Sequence, residues 1–406
     1  METSVKNRHV IFLGAGASFN SGYPIGEKLR LRLSSLEHFK QHLEDNGVQT
    51  TGAQGDCICG SRCLQHFGEF AESIELFRYG GFATVDEFSK LASANYPDRV
   101  QDMKRLMRLT FCFHNPEHKF QESDYYPFLQ RLFKDDLCSL REDLTVLSYN
   151  YDCYLDFLLL RAYQLRRGFS GNPTANDDLK NTLTSGFFDP ALTGWAQIER
   201  FRYLKLHGSI TYVDRKEFSH EQLFNSDMGR RFPIPGKGYK NSDVPPIVFP
   251  WEVFDDDGNF ISKESFVFSK HAKTQAQHVE ADVLFTLYKE IWTAAREAVK
   301  FATTISFVGL SMHRYMEQGL KFLFQGKKGL VNVIIANKTD DMETLCRNVG
   351  ALLRRIAPNA EAKGLWRDKY DLPPEEKGVR TYFADYSMTP RKSFREFIER
   401  DMNLNL

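Results

Sequence analysis

Six short apolar segments recur along the chain, and each ends in small or polar residues. They read HVIFLGAG, LTVLSYNYD, FRYLKLHGS, TTISFVGLS, LVNVIIANK and GVRTYFADY. Segments that are apolar on both faces are typical of strands buried in a parallel sheet. Helical patterns lie between several of them, for example at residues 280–302, where apolar residues recur every three or four positions. This alternation predicts an α/β fold with a doubly wound, Rossmann-like parallel sheet.

A long segment, residues 25–142, separates the first predicted strand from the second. It is mostly helical in pattern, as in VDEFSKLASA, RVQDMKRLMRLTFCF and YYPFLQRLFKDDL. We therefore predict a large helical insertion after the first strand, packed over the carboxyl edge of the sheet. The remaining boundaries follow: a Rossmann-like domain at residues 1–24 and 143–390, and a C-terminal helix or tail at residues 391–406.

Composition narrows the class of protein. Of the 406 residues, 42% are hydrophobic, which is enough to fill a sizeable core. The 53 Lys and Arg residues balance 53 Asp and Glu residues, so we expect no direct binding to nucleic acid. The sequence shows neither a signal-peptide pattern nor an apolar stretch long enough to span a membrane. Seven cysteines, an odd number, are typical of a reducing compartment, so we expect a cytoplasmic protein without membrane contact.

Ligands of an open α/β sheet bind beyond the carboxyl ends of its strands, so the residues that follow each predicted strand should converge. In strand order these residues are Gly14, Ala15, Gly16, Ala17 and Ser18, then Asn150 and Asp152, then His207, then Gly309 and Ser311, then Asn337, and finally Asp385. Glycines let a backbone approach a phosphate, and an amide, a carboxylate and an imidazole can act on a sugar. The combination is that of a dinucleotide site with a reacting ribose.

The glycine-rich stretch GAGAS has a second interpretation. It could be a tight turn between a strand and a helix, with Ser18 as the helix cap. The distance to the next glycine, Gly22, departs from the G-x-G-x-x-G spacing, and no acidic residue follows a second strand about 20 positions on. Both departures disfavour a Rossmann enzyme that transfers hydride.

The polar candidates also have structural alternatives. Asn150 could be a turn residue, and His207 a hydrogen-bonded structural histidine. Asp152 could orient Asn150 or a ribose hydroxyl, or it could be a favourable charge at a helix N-terminus. Asp86, in the helical insertion, could face the same pocket, although a helix cap is the stronger interpretation. The shared sheet edge favours function for Asn150 and His207.

One cysteine-rich stretch, CICGSRCLQH, offers soft metal ligands within ten residues: Cys57, Cys59, Cys63 and His66. Its spacing, C-x-C-x3-C-x2-H, is not a common zinc spacing, and the usual second pair is missing. We therefore expect no bound metal and interpret the stretch as a reduced or redox-sensitive loop.

Several motifs resemble a known family when they are taken together. GAGAS followed by GYP, then SYNYD, KLHGS, FVGLS and VIIANK, occur in the order found in the sirtuin fold. More narrowly, they resemble bacterial sirtuin-like NAD hydrolases that act in antiviral defence. The resemblance is spread over residues 9–30, 143–157, 201–212 and 280–390.

The resemblance implies a role for each candidate residue. The loop from Gly14 to Ser18 would hold the pyrophosphate of NAD. Asn150 and Asp152 would lie against the nicotinamide ribose, and His207 would be the catalytic base. The remaining candidates would line the adenosine half of NAD: Gly309 and Ser311 at the far ribose and phosphate, and Asn337 at the adenosine side.

Two departures separate this chain from sirtuins that deacylate proteins. Those enzymes carry D-F-R after the G-I-P turn, whereas this chain reads GYPIGEKLR and has Gly26 and Glu27 there. They also carry two C-x-x-C pairs for a structural zinc after the catalytic histidine, whereas no cysteine lies between His207 and Cys346. The missing zinc module removes one wall of the acyl-lysine groove, which favours water as the acceptor.

The resemblance therefore implies a NAD glycohydrolase with NAD as its substrate and with ADP-ribose and nicotinamide as products. It implies a toxic effector of abortive infection that works by NAD depletion, forms a homo-oligomer and pairs with a hexameric ATPase of the HerA type. Two alternatives stay open. One is a NAD-dependent protein deacylase or ADP-ribosyltransferase, and the other is a non-catalytic module that senses NAD or a cyclic nucleotide derivative.

Overall fold

The computed structural model describes residues 8–24, 26–45, 67–112, 123–132, 141, 143–152, 154–155, 158, 202–208, 245, 247–310, 314–327, 331–337, 348–353, 386–391 and 393–402. Its six strands are β1 (His9–Leu13), β2 (Leu144–Ser148), β3 (Arg202–Lys205), β4 (Thr304–Val308), β5 (Val331–Ala336) and β6 (Tyr386–Arg391). All neighbouring strands are parallel, in the order β3-β2-β1-β4-β5-β6. This is the strand order of Rossmann-like folds, so the predicted α/β class is confirmed.

The strand order fixes where a ligand can bind. From β1 the chain builds outward to β3 and then returns to place β4 on the other side of β1. The crevice at the carboxyl ends of β1 and β4, where the direction of winding reverses, is the usual ligand site of such sheets. The loops after these two strands therefore lie at the place that the sequence analysis selected.

Five of the six strands lie within the apolar segments that predicted them. The sixth differs, because β6 begins at Tyr386, the last residue of GVRTYFADY. Asp385 therefore precedes β6 in the sequence instead of following it, and residues 378–385 lie outside the described residues. β6 is an edge strand that contains Pro390, a residue that central strands exclude, and its composition gives a weak strand signal.

In the described part of the long segment between β1 and β2, the regular elements are helices. After a 3-10 helix at Ala15–Ser21, they are α1 (Gly26–Ser34), α2 (Leu36–Asp45), α3 (Ala71–Tyr79), α4 (Val85–Ala92), α5 (Pro97–Cys112) and α6 (Tyr125–Leu132). Among the described residues of this segment there is no strand. The domain boundaries given above stay predictions.

The remaining helices follow β3. They are α7 (Val267–His271), α8 (Gln275–Lys300), α9 (Glu317–Phe324) and α10 (Phe394–Asp401), with short 3-10 helices at Pro250–Glu252, Lys263–Ser265 and Arg314–Met316. The pattern at residues 280–302 predicted α8, but the helix begins earlier. Thr274 and Gln277 form a capping box that fixes its start. Among the described residues, no helix is long and apolar enough to cross a membrane.

Two hydrophobic cores cover the two faces of the sheet. Along β1, Ile11 and Leu13 face a core shared with α5, α6 and α10, whereas Val10 and Phe12 face a core shared with α8 and α9. Both faces of β1 are buried, which explains why its sequence lacks a polar face. The insertion helices thus pack on one face of the sheet, and α8 packs on the other.

Candidate functional site

The loops that follow β1 and β4 meet backbone to backbone. The N–H of Gly14 donates to the Val308 carbonyl at 2.8 Å, and the N–H of Gly16 donates to the Gly309 carbonyl at 2.9 Å. A Cβ added to Gly16 would lie 2.8 Å from the Gly309 Cα, and Gly309 itself has a φ of 64°. A side chain at either position would push the loops apart. Close packing therefore accounts for these glycines independently of any phosphate.

Backbone amides of the predicted phosphate loop are largely engaged with the protein. In addition to the two glycine amides, the N–H of Ala17 donates to the Gly14 carbonyl at 2.9 Å. Ala15 is exposed, whereas Ser18 is buried inside the 3-10 helix and does not cap a helix. The interpretation of Ser18 as a cap is therefore wrong, because its hydroxyl bonds to side chains instead.

Asn337 ties the end of β5 to the loop after β4. Its Nδ2 donates to the Leu310 carbonyl at 3.2 Å, and the side chain is half-buried. Ser311 lies outside the described residues. The roles of Gly309, Ser311 and Asn337 towards the far ribose, phosphate and adenosine stay predictions.

Asn150 and His207 occupy equivalent positions beyond the ends of β2 and β3. Ser148 pairs with Lys205 in the parallel ladder, and the N–H of Leu206 donates to the Ser148 carbonyl at 2.9 Å. Asn150 and His207 each come two residues after that pair, and both side chains are buried. The sheet thus brings these two candidate residues to neighbouring strand ends.

A buried hydrogen-bond network holds the amide of Asn150. Its Nδ2 donates to Ser18 Oγ at 3.2 Å, and Ser18 Oγ donates to Asp152 Oδ2 at 3.0 Å. The phenol oxygen of Tyr125 lies 3.2 Å from the same Ser18 Oγ. Among the described residues, Asn150 Oδ1 has no hydrogen-bond partner although it is buried. A buried acceptor without a partner is unfavourable, and a bound water or ligand would satisfy it.

Asp152 makes both kinds of contact that the sequence left open. Its Oδ1 accepts the backbone N–H of Tyr154 at 3.0 Å, at the start of the helical residues that follow β2. Its Oδ2 accepts from Ser18, so the carboxylate acts on Asn150 through that hydroxyl. The Lys205 ammonium also donates to the Asp152 carbonyl. Asp152 therefore helps to hold Ser18, and through Ser18 the side-chain amide of Asn150, in place.

His207 lies among aromatic rings. Its ring centroid is 4.9 Å from that of Tyr149, 5.7 Å from that of Tyr151 and 5.9 Å from that of Trp292. Burial lowers the pKa of His207 to about 3, although a hydrogen bond with the Val248 backbone opposes the shift. Its Nδ1 has no hydrogen-bond partner among the described residues. The imidazole is therefore neutral at neutral pH and offers an unpartnered ring nitrogen.

Asp86 reaches this region from α4. The phenol of Tyr151, whose ring contacts His207, donates to Asp86 Oδ1 at 3.2 Å. The N-cap of α4 is Thr84, whose hydroxyl accepts the N–H of Glu87 at 3.1 Å. The preferred interpretation of Asp86 as a helix cap is therefore wrong, since a threonine two residues earlier takes that place.

A buried ion pair near the site was missed by the sequence analysis. Lys104 Nζ of α5 donates to both carboxylate oxygens of Glu252, at 2.9 and 2.7 Å, and the side chains are 0% and 1% exposed. Glu252 also accepts the N–H of Phe249 at 2.8 Å, and the Phe249 ring lies 5.8 Å from that of Tyr151. Burial lowers the pKa of Lys104 and raises that of Glu252, and the charge of each partner opposes the shift of the other.

The sequence held a signal for this pair. Lys104 stands four residues after Val100 and three before Met107, both buried, so it occupies an apolar position of a helix. A lysine there indicates a buried partner. Tyr125 gave no comparable signal, because an aromatic residue on the apolar side of a helix is typical of an ordinary core position.

Metal ligands do not cluster within the described residues: no group of three or more His, Cys, Asp or Glu side chains there could hold a metal ion. The candidate ligands Cys57, Cys59, Cys63 and His66 lie outside the part of the chain that the structure describes.

In comparisons with known proteins, no family model and no curated protein matches this chain.

Proposed function

We propose that this protein is a NAD glycohydrolase that cleaves NAD to ADP-ribose and nicotinamide. The observation that carries this proposal is the pair formed by Asn150 and His207. They lie at neighbouring strand ends, both are buried, and each has an unpartnered polar atom. The Rossmann-like strand order and the resemblance of the motifs to sirtuin-like NAD hydrolases add support.

The chemistry needs groups that support a cationic ribose and aim a water. When the bond between nicotinamide and ribose breaks, its electron pair stays with nicotinamide, which leaves as a neutral molecule, and positive charge develops on the anomeric carbon. Water then bonds to that carbon and loses a proton. Asn150 Oδ1 is an acceptor that can orient this water or a ribose hydroxyl. Ser18 and Asp152 keep the amide in place.

The low pKa of His207 limits which proton transfers this residue can carry out. A base whose pKa is about 3 removes protons from ordinary water poorly at neutral pH. Once water has bonded to the anomeric carbon, its proton is strongly acidic, and a neutral imidazole is then sufficient to accept it. We therefore assign His207 to a late proton transfer and to hydrogen bonding before it.

We further propose that the enzyme is the toxic effector of an antiviral defence system and acts by depleting NAD. Because unrestrained cleavage of NAD would harm the cell, its activity requires control. On the resemblance, control comes from assembly of a cytoplasmic homo-oligomer with a hexameric ATPase of the HerA type.

A non-catalytic module that senses NAD or a related nucleotide is the second candidate. Two observations favour it: the amides of Gly14, Gly16 and Ala17 are engaged with protein carbonyls, and the lowered pKa of His207 makes its imidazole a weak base. A deacylase or ADP-ribosyltransferase is disfavoured by the absence of the cysteine pairs after His207.

Release of nicotinamide from NAD separates these candidates. The full chain is incubated with NAD, alone and with a candidate HerA-type ATPase. We expect nicotinamide release, and we expect His207→Ala and Asn150→Ala each to lower its rate by about 100-fold or more. His278→Ala, at an exposed histidine of α8, is the matched control and should keep full activity. If the protein bound NAD but released no nicotinamide under either condition, the result would favour the non-catalytic sensing module. Release that depends on an acetylated peptide would favour the deacylase.

A further inference from the structure

Tyr125, the first residue of α6, connects the helical insertion to the candidate site. Its side chain is buried, and its phenol oxygen lies 3.2 Å from Ser18 Oγ. The Asn150 amide nitrogen donates to the same Ser18 Oγ, also at 3.2 Å. Three polar groups from three separate parts of the chain therefore meet: the Ser18 hydroxyl, the Asn150 amide and the Tyr125 phenol.

The donors and acceptors of this group can be assigned by elimination. Ser18 has one hydroxyl hydrogen, and it donates that hydrogen to the Asp152 carboxylate, which can only accept while it is ionised. Ser18 Oγ must then accept from its other two neighbours, the Asn150 amide nitrogen and the phenol of Tyr125. Tyr125 is thus the donor to Ser18.

This assignment fixes the orientation of the Asn150 amide. If the amide were turned over, its oxygen would face Ser18 Oγ, whose hydrogen is already committed to Asp152. With the nitrogen towards Ser18, the carbonyl oxygen is directed out of the network, and among the described residues it has no partner.

We infer that Tyr125 is a positioning residue, which acts through the Ser18 hydroxyl to hold Asn150 with its carbonyl oxygen available to a substrate. The helical insertion therefore contributes a side chain to the site in addition to covering one face of the sheet. The consequence for turnover rests on the proposed NAD cleavage, whereas the consequence for the Asn150 amide does not.

The surroundings of Tyr125 allow a test that removes only its hydroxyl. The ring centroid lies 5.6 Å from that of Tyr154 and 5.5 Å from that of Phe394 in α10. Next to it, Arg395 Nε donates to Asp124 Oδ1 at 3.0 Å, which ties α10 to the start of α6. Tyr125→Phe keeps the ring and these packing contacts.

The kinetic experiment compares Tyr125→Phe with Tyr126→Phe, which makes the same change at the exposed neighbour on the same helix. Since one neutral hydrogen bond is lost, we expect Tyr125→Phe to lower kcat for nicotinamide release about three- to tenfold and to leave KM within about twofold. Tyr126→Phe should match the unmodified protein. In an Asn150→Ala background, Tyr125→Phe should cause no further loss, because its effect passes through Asn150.

The second measurement does not depend on activity. In protein labelled with ¹⁵N at asparagine, the side-chain NH₂ resonance of Asn150 is identified by its absence in Asn150→Ala. We expect this resonance to shift and its hydrogens to exchange faster in Tyr125→Phe, with no change in Tyr126→Phe.

An unmoved Asn150 resonance, or losses of activity that add fully in the double variant, would overturn the inference. If the unmodified protein released no nicotinamide, the proposed function would fail. The resonance would still decide whether Tyr125 positions Asn150.

Discussion

Asn150 and His207 stand side by side beyond two paired strands, yet their surroundings are opposite in kind. The amide half of the site is built of hydrogen-bonding groups: Asn150, Ser18, Asp152 and Tyr125. The imidazole half is built of rings: His207, Tyr149, Tyr151 and Trp292. The sheet supplies only the positions. The packed helices supply the surroundings of these two residues, since Tyr125 comes from the insertion on one face and Trp292 from α8 on the other.

The largest effect is expected from removing the reacting group of either half. Asn150→Ala and His207→Ala should each lower the rate of nicotinamide release by about 100-fold or more, the range for removing a positioned hydrogen-bonding or acid–base group. Both variants should keep their thermal midpoint within a few degrees and their elution volume on size exclusion. Full turnover in one of them would show that its half of the site is structural.

The next largest effect concerns the ion pair near the imidazole half. Lys104→Met leaves the Glu252 carboxylate buried without its cation, so we expect a loss of about 3–5 kcal/mol in the free energy of unfolding. Urea denaturation measures it.

Two controls define the cause of that loss. Lys104→Met/Glu252→Gln removes both charges but keeps an oxygen to accept the N–H of Phe249, and it should recover most of the stability. Lys40→Met removes the half-exposed pair with Glu44 on α2 and should change stability by less than about 1 kcal/mol. Equal losses in all three variants would mean that the charges are not the cause.

The two halves should also respond differently to acid. The pKa of His207 is lowered from 6.5 to about 3, so between these values the unfolded chain binds a proton that the folded chain does not. The free energy of unfolding is therefore highest above about pH 6.5. It decreases as the pH falls towards 3, by at most about 1.4 kcal/mol per pH unit. The amide half has no histidine to add to this loss.

Urea unfolding between pH 5 and 7 tests this dependence, and His207→Gln should make it shallower. His9 serves as an internal comparison outside the site, because burial lowers its pKa from 6.5 to about 4. Its Nε2 lies 2.6 Å from Ser306 Oγ. His9→Gln should flatten the dependence in the same direction. An unchanged slope in the His207 variant would contradict a neutral buried imidazole.

The smallest effect is expected at Tyr151. Tyr151→Phe keeps the ring against His207 and removes only the hydrogen bond to Asp86. We expect stability to fall by about 0.5–1.5 kcal/mol and nicotinamide release to change by less than about tenfold. A loss as large as that of His207→Ala would mean that the phenol itself takes part in the reaction.

Much of the fold was predictable, and the reason lies in particular strands. β1 is apolar on both faces because two cores cover it, so its sequence alone indicated a buried parallel strand. β6 was misplaced because an edge strand with Pro390 needs no such pattern.

For the candidate site, the sequence allowed the positions of its main residues to be predicted. Topology brings strand ends together, and this selected Asn150 and His207. It could not give their partners, because the bond from Ser18 to Asp152 joins residues 134 apart in the chain. It also could not give the pKa of His207, which depends on how α8 packs against it.

The place of β1 in the sheet has a consequence for synthesis. β1 leaves the ribosome before β2 and β4, the two strands with which it pairs, and the bond between His9 and Ser306 spans 297 residues. The insertion helices can form before either partner strand has been made. Until then, both edges of β1 lack a paired strand. The crevice between β1 and β4 therefore forms only after β4 has been made, and a chain interrupted before β4 carries the glycine loop without this crevice.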